Sequence, residues 1–324
     1  MERLPAYQKQ FLTYLESQKW PTKPAQLYAP ISYILTLGGK RLRPVLTLMS
    51  AHAFGRKSES ALPAALAVEL FHNFTLLHDD IMDEAPLRRG QPTVHTRWDN
   101  NVALLSGDAL MIASYQALEP YPDSLHSSLT RLLSQTAIAV CEGQQLDMDF
   151  ETSQGVTEAA YLEMIGLKTA VLIGCALQMG ALVGGASLDA AKVIYQFGYA
   201  LGVAFQIQDD FLDAFGDPET FGKQVGGDII ENKKTMLFHQ ALQLGSNQQQ
   251  EALLAHFETH PKKPAEKIKE VCDLFETTGA KKACEQKVED YTTQALQQLK
   301  TLAISSEGKS EFEQFAKYLM SRSF

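Results

Sequence analysis

Two long apolar runs constrain what this chain can fold into. Residues 61–77 are apolar nearly all the way round, and Ile194, Phe197, Leu201, Phe205 and Gln208 follow one another at steps of three or four. That spacing is the helical period, and a helix with no polar face is buried on every side. Strand-like alternation is almost absent, and no glycine-rich strand–turn–helix unit of a nucleotide fold occurs. Helices are predicted over 4–18, 24–37, 42–55, 60–83, 99–118, 126–149, 157–182, 188–215, 233–245, 248–258, 263–277, 279–303 and 308–321. The expected fold is all-α, a single large helical bundle around a central apolar cavity. No composition shift or Pro/Ser-rich linker interrupts the chain, so residues 1–324 are read as one domain. The more polar stretch 248–300 reads as an outer layer of amphipathic helices.

Each apolar run ends in the same acidic pattern. The first is Asp79-Asp80-Ile81-Met82-Asp83 and the second Asp209-Asp210-Phe211-Leu212-Asp213. Residues four apart share a helix face, so Asp79 projects with Asp83 and Asp209 with Asp213. Like charges at that spacing repel. The compensator that fits is a cluster of hard divalent cations, because Mg²⁺ is commonly held by one or two carboxylates plus substrate phosphates. One triplet alone reads equally as a solvated helix end; its repetition on a second apolar helix favours metal. The motifs are far apart in sequence and are expected to face each other across a cavity. Carboxylates at the mouth of an apolar interior suit a substrate with an anionic head and an apolar tail. Ser58 or Ser60 is expected to cap the first of these helices. Pro86 and Gly90 mark its exit, and Gly216, Asp217 and Pro218 that of the second.

The chain carries 29 basic and 38 acidic residues, a net charge of −9. That balance argues against general nucleic-acid binding and makes local basic clusters informative. Gly38-Gly39-Lys40-Arg41-Leu42-Arg43-Pro44 frees the backbone at two glycines and supplies three cations, of which arginine can grip phosphate through two parallel hydrogen bonds. Arg88-Arg89-Gly90 follows the first acidic motif, either as charge balance or as the outer jaw on a phosphate. Lys168-Thr169, Lys223 and Lys233-Lys234-Thr235 add cations around the second. His72 lies two helical turns before Asp79, on its face. Taken singly, His72 reads as a buried histidine, Phe74 as core, and the glycine–lysine–arginine loop as a surface turn. The four cysteines contain no Cys-x-x-Cys pair and read as reduced thiols. The start lacks the apolar core of a signal peptide. No charge-free apolar stretch is long enough to span a bilayer; the most apolar one, 169–187, carries four glycines and a glutamine. A soluble, cytoplasmic protein is expected.

Taken together, these segments resemble the trans-isoprenyl diphosphate synthases, the polyprenyl synthetase family. The carriers are Gly-Gly-Lys-Arg-Leu-Arg-Pro at 38–44, Leu-Leu-His-Asp-Asp-Ile-Met-Asp at 76–83, Arg88-Arg89-Gly90, Gly-Asp-Ala-Leu at 107–110, Lys168-Thr169, Phe-Gln-Ile-Gln-Asp-Asp-Phe-Leu-Asp at 205–213, Gly222-Lys223 and Asn-Lys-Lys-Thr at 232–235. The resemblance implies condensation of isopentenyl diphosphate with an allylic diphosphate, assisted by three Mg²⁺ ions. It implies that Asp79 and Asp83 hold metal on one side and Asp209 on the other, with Asp210 and Asp213 supporting and Asp80 less clearly assigned. Arg88, Lys168, Lys223 and Lys233 would contact the allylic diphosphate. Lys40, Arg43, His72 and Arg89 would form the isopentenyl diphosphate site, with Arg41 less clearly assigned. Thr169 and Gln206 would lie near the developing cation. A homodimer is implied by the same resemblance.

In that family the floor of the tail pocket is set one or two turns before the first aspartate motif. Phe74 stands five positions before Asp79, Thr75 four and Phe71 eight. An aromatic at minus five, a small residue at minus four and no insertion in the motif favour a C20 product, geranylgeranyl diphosphate, with C15 farnesyl diphosphate as the alternative. A class I terpene cyclase would usually carry an Asn/Ser/Glu metal motif instead of the second triplet and lack a second diphosphate site. A non-catalytic prenyl diphosphate-binding subunit would normally have lost its acidic motifs, and both are intact here.

Overall fold

The computed structural model describes residues 3–153, 155–217, 225–258 and 263–321. It is 79% helical, so the all-α expectation holds. Every expected helix has a counterpart whose ends differ by a turn or less. The chain forms two compact units. One comprises Met1–Gln135, Cys175–Ile194 and Ala303–Gly308; the other comprises Thr136–Gly174, Tyr195–Leu302 and Lys309–Phe324.

The first unit is built on α1 (Leu4–Ser17), α2 (Ala25–Thr36), α3 (Leu42–Ala53) and α4 (Leu62–Met82). After α4 come a two-residue hairpin, β1 (Leu87–Arg88) with β2 (Gln91–Pro92), then α5 (Val94–Arg97) and α6 (Asn100–Gln116). Phe11, Ile31, Ile34, Leu46, Leu48 and Phe71 are buried at its centre. The α4 helix is buried along most of its length, as its unbroken apolar run requires. Its start differs from the serine cap expected. A 3₁₀ turn, Ser58–Ala61, precedes it, and no side chain of the cap residue closes the helix. Ser60 Oγ donates instead to the Lys57 carbonyl, and Ser58 Oγ to Gln10. The orphan amide of Ala64 is satisfied by the Tyr121 hydroxyl at 3.1 Å, a partner remote in sequence. Gly107 lets α6 lie close on α4, since a Cβ there would stand 2.4 Å from His78 Nε2.

The second unit holds the C-terminal part of α7 (Asp123–Thr152), α8 (Glu158–Ile165), a π turn (Gly166–Ala170), the start of α9 (Val171–Gly184) and most of α10 (Leu188–Phe215). Beyond these lie α11 (Gly227–Ile230), α12 (Met236–Leu244), α13 (Asn247–Phe257), α14 (Pro264–Thr277), α15 (Ala280–Thr301) and α16 (Ser306–Met320). Its core joins Tyr161, Ile165, Val203, Ile207, Phe211 and Phe275.

Two helical stretches, Ser58–Met82 and Glu158–Gly184, are long and apolar enough to cross a membrane by length and composition, though each carries charged residues and neither is a charge-free stretch. The π turn joins α8 and α9 into one uninterrupted run, and the glycines counted against it do not break the helix. Of the most apolar windows, 67% and 72% are buried inside the protein, the condition of core helices.

Candidate active site

In the first unit, α4 ends at Met82, and Asp83 is its C-cap, with its amide donating to the Asp79 carbonyl at 2.9 Å. The last turn is therefore intact and keeps Asp79 and Asp83 on one face. This is the negative end of the helix dipole, the unfavourable end for carboxylates. Asp80 turns the other way. It is 1% exposed, and its Oδ1 accepts from Arg88 Nε at 2.7 Å and is ion-paired with Arg88 Nη2 at 2.6 Å. Arg88 Nη2 also stands 3.5 Å from Asp79 Oδ2. Burial, opposed by Arg88, raises the Asp80 carboxyl to about 6.

The basic loop and the hairpin meet at one point. Arg89 and Gly90 both have positive φ, 54° and 74°, as a two-residue primed turn requires. That turn aims the Arg89 guanidinium at the Gly38 carbonyl, which it hydrogen-bonds. Gly39 must be glycine twice over: its φ is 117°, and a Cβ would lie 2.7 Å from Arg89 Cζ. Arg43 Nη1 donates to His72 Nε2 at 3.2 Å. Burial and then the guanidiniums of Arg43, Arg89, Arg88 and Arg41 hold His72 well below its usual pKa, so it stays neutral and accepts. Burial lowers the Arg43 guanidinium to about 10. The structure thus brings Arg43, His72 and Arg89 into one electrostatic neighbourhood, with Lys40 exposed on the adjoining loop.

Arg41 plays a different part. It is buried in a left-handed conformation, φ 48°, and its guanidinium is paired with Glu69 and the Leu35 carbonyl. Asn73 Nδ2 donates to Glu69 Oε1 at 3.1 Å. This network ties the basic loop to the middle of α4. Glu69 escaped sequence inspection because a lone glutamate in an apolar helix gives no sign of which cation neutralises it.

Phe71 and Phe74 are both buried, their rings 5.4 Å apart, and Phe74 meets the edge of His78 at 4.7 Å. Thr75 is half-buried, and its hydroxyl donates to the His72 carbonyl at 2.8 Å.

In the second unit, Lys168 and Thr169 sit on the π turn rather than on the regular helix expected. Such turns commonly mark functional positions. Three glycines leave room for it. A Cβ on Gly143 would lie 2.3 Å from the Lys168 amide nitrogen, one on Gly166 2.2 Å from the Tyr199 hydroxyl, and one on Gly202 2.7 Å from Ala170 Cα. Lys168 Nζ is paired with Asp147 at 2.6 Å. Thr169 Oγ1 donates to Gln206 Oε1 at 3.0 Å, and Gln206 Nε2 to Asp210 Oδ1 at 2.9 Å. The Tyr161 hydroxyl donates to Asp210 Oδ2 at 2.5 Å. Burial, against both hydrogen bonds, raises Asp210 to about 7. A cavity opens here, lined by Lys168, Thr169, Gln206, Asp210, Asp228 and Lys233 among others. Burial pulls the Lys233 pKa down, but Asp228, Glu231 and Asp147 outweigh it and hold the ammonium charged. Asp213 Oδ2 accepts from the Asp228 amide at 2.9 Å, so the third aspartate anchors the start of α11. Lys223 lies outside the described residues. Asp147, Tyr161 and Asp228 were not foreseen, for each is placed by partners distant in sequence.

The two triplets divide alike. The middle aspartates, Asp80 and Asp210, are buried and tied to protein donors, whereas Asp79, Asp83, Asp209 and Asp213 keep solvent access. Among the described residues no three His, Cys, Asp or Glu side chains converge into a complete metal cage. Oxygen-only pairs at helix C-termini nonetheless fit a hard divalent ion whose remaining ligands are water and substrate phosphate.

Residues 24–275 match the family model described as polyprenyl synthetase, through segments of both units. The chain is 45% identical over 226 residues to a geranylgeranyl diphosphate synthase of Methanosarcina mazei, covering 69% of this chain and 70% of that relative. It is 36% identical over 300 residues to a short chain isoprenyl diphosphate synthase of Methanothermobacter thermautotrophicus, covering 92% and 91%. A crystal structure of geranylgeranyl pyrophosphate synthase superposes with a TM-score of 0.96 at 49% identity, covering 100% of both chains. With aspartate triplets closing two apolar helices, a basic loop latched to a hairpin arginine, and this breadth of match, the chain belongs to the polyprenyl synthetase family and is a prenyltransferase.

Proposed function

We propose that this prenyltransferase joins isopentenyl diphosphate head-to-tail to an allylic diphosphate and releases a C20 product. The matching division of the two acidic triplets carries this reading: each helix anchors its middle aspartate and keeps its first and third accessible at the negative dipole end. In this reading Asp79, Asp83 and Asp209 hold Mg²⁺, three ions in all, with Asp80 and Asp213 as supports. When bound, the metal neutralises charge that develops on the departing diphosphate. Lys168, Lys233, Lys223 and Arg88 bind the allylic diphosphate, two of them after release from Asp147 and Asp80. Arg43, His72, Arg89 and Lys40 bind isopentenyl diphosphate. Once bound to the diphosphate, these cations need no further reorganisation as its charge grows. Apolar walls exclude the water that would quench the carbocation. Its proton is lost after attack by the isopentenyl double bond, with the released diphosphate as acceptor.

Phe74, packed on Phe71, supports a floor at C20 length. The names of the similar proteins support the same length, since two of those described above are geranylgeranyl diphosphate synthases. The assay is purified protein with Mg²⁺, each allylic starter in turn and radiolabelled isopentenyl diphosphate. The expected outcome is an extractable C20 prenyl diphosphate, abolished by EDTA. A cyclic hydrocarbon made from the allylic diphosphate alone would indicate a terpene cyclase, and no extractable product at all would indicate a binding subunit.

A further inference from the structure

We propose that Tyr161 is a positioning residue that fixes which face of the Thr169 hydroxyl the reaction cavity sees. The four side chains form a directional chain. Tyr161 donates to one oxygen of Asp210 at 2.5 Å, and the other oxygen accepts from Gln206 Nε2 at 2.9 Å. With its nitrogen committed to Asp210, Gln206 presents Oε1 to Thr169, whose hydroxyl donates to it at 3.0 Å. The Thr169 proton is therefore committed to Gln206, and its oxygen lone pairs are left for whatever else occupies the cavity that both side chains line.

The polarity of a primary amide is set only by its partners. Both Asp210 oxygens accept, Oδ2 from Tyr161 and Oδ1 from Gln206, so while Asp210 is held it sets one orientation on Gln206. What holds its other oxygen is Tyr161, 2% exposed, in the middle of α8. Without that hydroxyl, Asp210 Oδ2 loses its buried donor and the carboxylate is free to turn. Gln206 then flips and donates to Thr169, and the Thr169 proton is left to face whatever occupies the cavity. An O–H dipole with its positive end outward repels a cation, whereas the lone pairs attract one. This inference rests on the proposed function for the identity of that cation.

The test is Tyr161→Phe, which removes one oxygen and keeps the ring. The expected result is a kcat lowered about tenfold to a hundredfold, the range for losing a hydrogen bond to a charged group. KM for both diphosphates stays within about twofold, because Tyr161 acts through Thr169 and not on the phosphates. In a Thr169→Val background the same change costs nothing further. Wild-type kcat in Tyr161→Phe, or a loss that multiplies independently onto that of Thr169→Val, overturns the proposal. A second readout needs no turnover. In protein labelled with ¹⁵N-glutamine, the Gln206 side-chain amide (identified by its absence in Gln206→Leu) shifts in Tyr161→Phe. An unshifted amide also overturns the proposal. Should the wild-type protein fail to condense the two diphosphates, the functional reading fails, and the Gln206 signal still decides the role of Tyr161.

Discussion

Buried charge governs the chemistry of individual residues here. Arg41 and Glu69 are each 2% exposed as side chains and neutralise one another. Glu69→Ala should cost about 3–5 kcal/mol in urea denaturation, mostly by stranding the guanidinium. His72 is held neutral by burial and the surrounding guanidiniums, so its folded pKa lies below its unfolded one. The unfolded chain therefore takes up this proton first as pH falls, and stability rises with pH in that window. The His72 contribution should be complete above about pH 6.5 and lost progressively below it. An NMR titration should show the His72 ring still neutral well under the usual histidine midpoint. Phe74 closes the space toward Phe71, and Phe74→Ala should lengthen the product by at least one C5 unit in mass spectrometry. Unchanged chain length would place the floor elsewhere. The aspartate triplets stood out from type and spacing, whereas the roles expected of Arg43, His72 and Phe74 came from the family resemblance. Glu69, Asp147 and Tyr161 did not stand out, because a buried polar group declares itself only through its partner.

At the level of elements, the π turn is the feature with the most leverage. It seats Lys168 and Thr169 on a widened turn, and Gly143 of α7 packs backbone to backbone against it. Gly143→Ala would put a methyl 2.3 Å from the Lys168 amide. The helix or the turn must then shift, at a cost of about 1–3 kcal/mol. The melting temperature should fall, and kcat should fall further than that loss explains because Lys168 and Thr169 move with the turn. Full activity with a lowered melting temperature would show that the turn is structural only. Periodicity located this helical run within a turn at each end. It could not reveal one extra residue in a turn, since apolar spacing on both sides remains helical. The hairpin at 87–92 escaped for a related reason: two residues per strand are too few to display alternation.

For the whole molecule, assembly is the property most open to test. One face of α6 exposes Leu105 at 61% and Ile112 at 57%, two turns apart, with Leu104 alongside at 40%. Apolar exposure of that kind on one helix face supports a homodimer built on it. Sedimentation velocity should give a dimer for the wild-type chain and a monomer for Leu105→Glu/Ile112→Glu; a wild-type monomer would refute the assembly. Sequence alone determined the all-α class, the helix positions and the family. It could do so because helical period and motif spacing are local properties, written into residues a few positions apart. Tertiary structure alone decided which aspartate of each triplet is buried, that Arg41 belongs to Glu69, and that Tyr161 orients Gln206 through Asp210. Those outcomes depend on desolvation and on partners brought from distant parts of the chain, and neither leaves a mark on the local pattern.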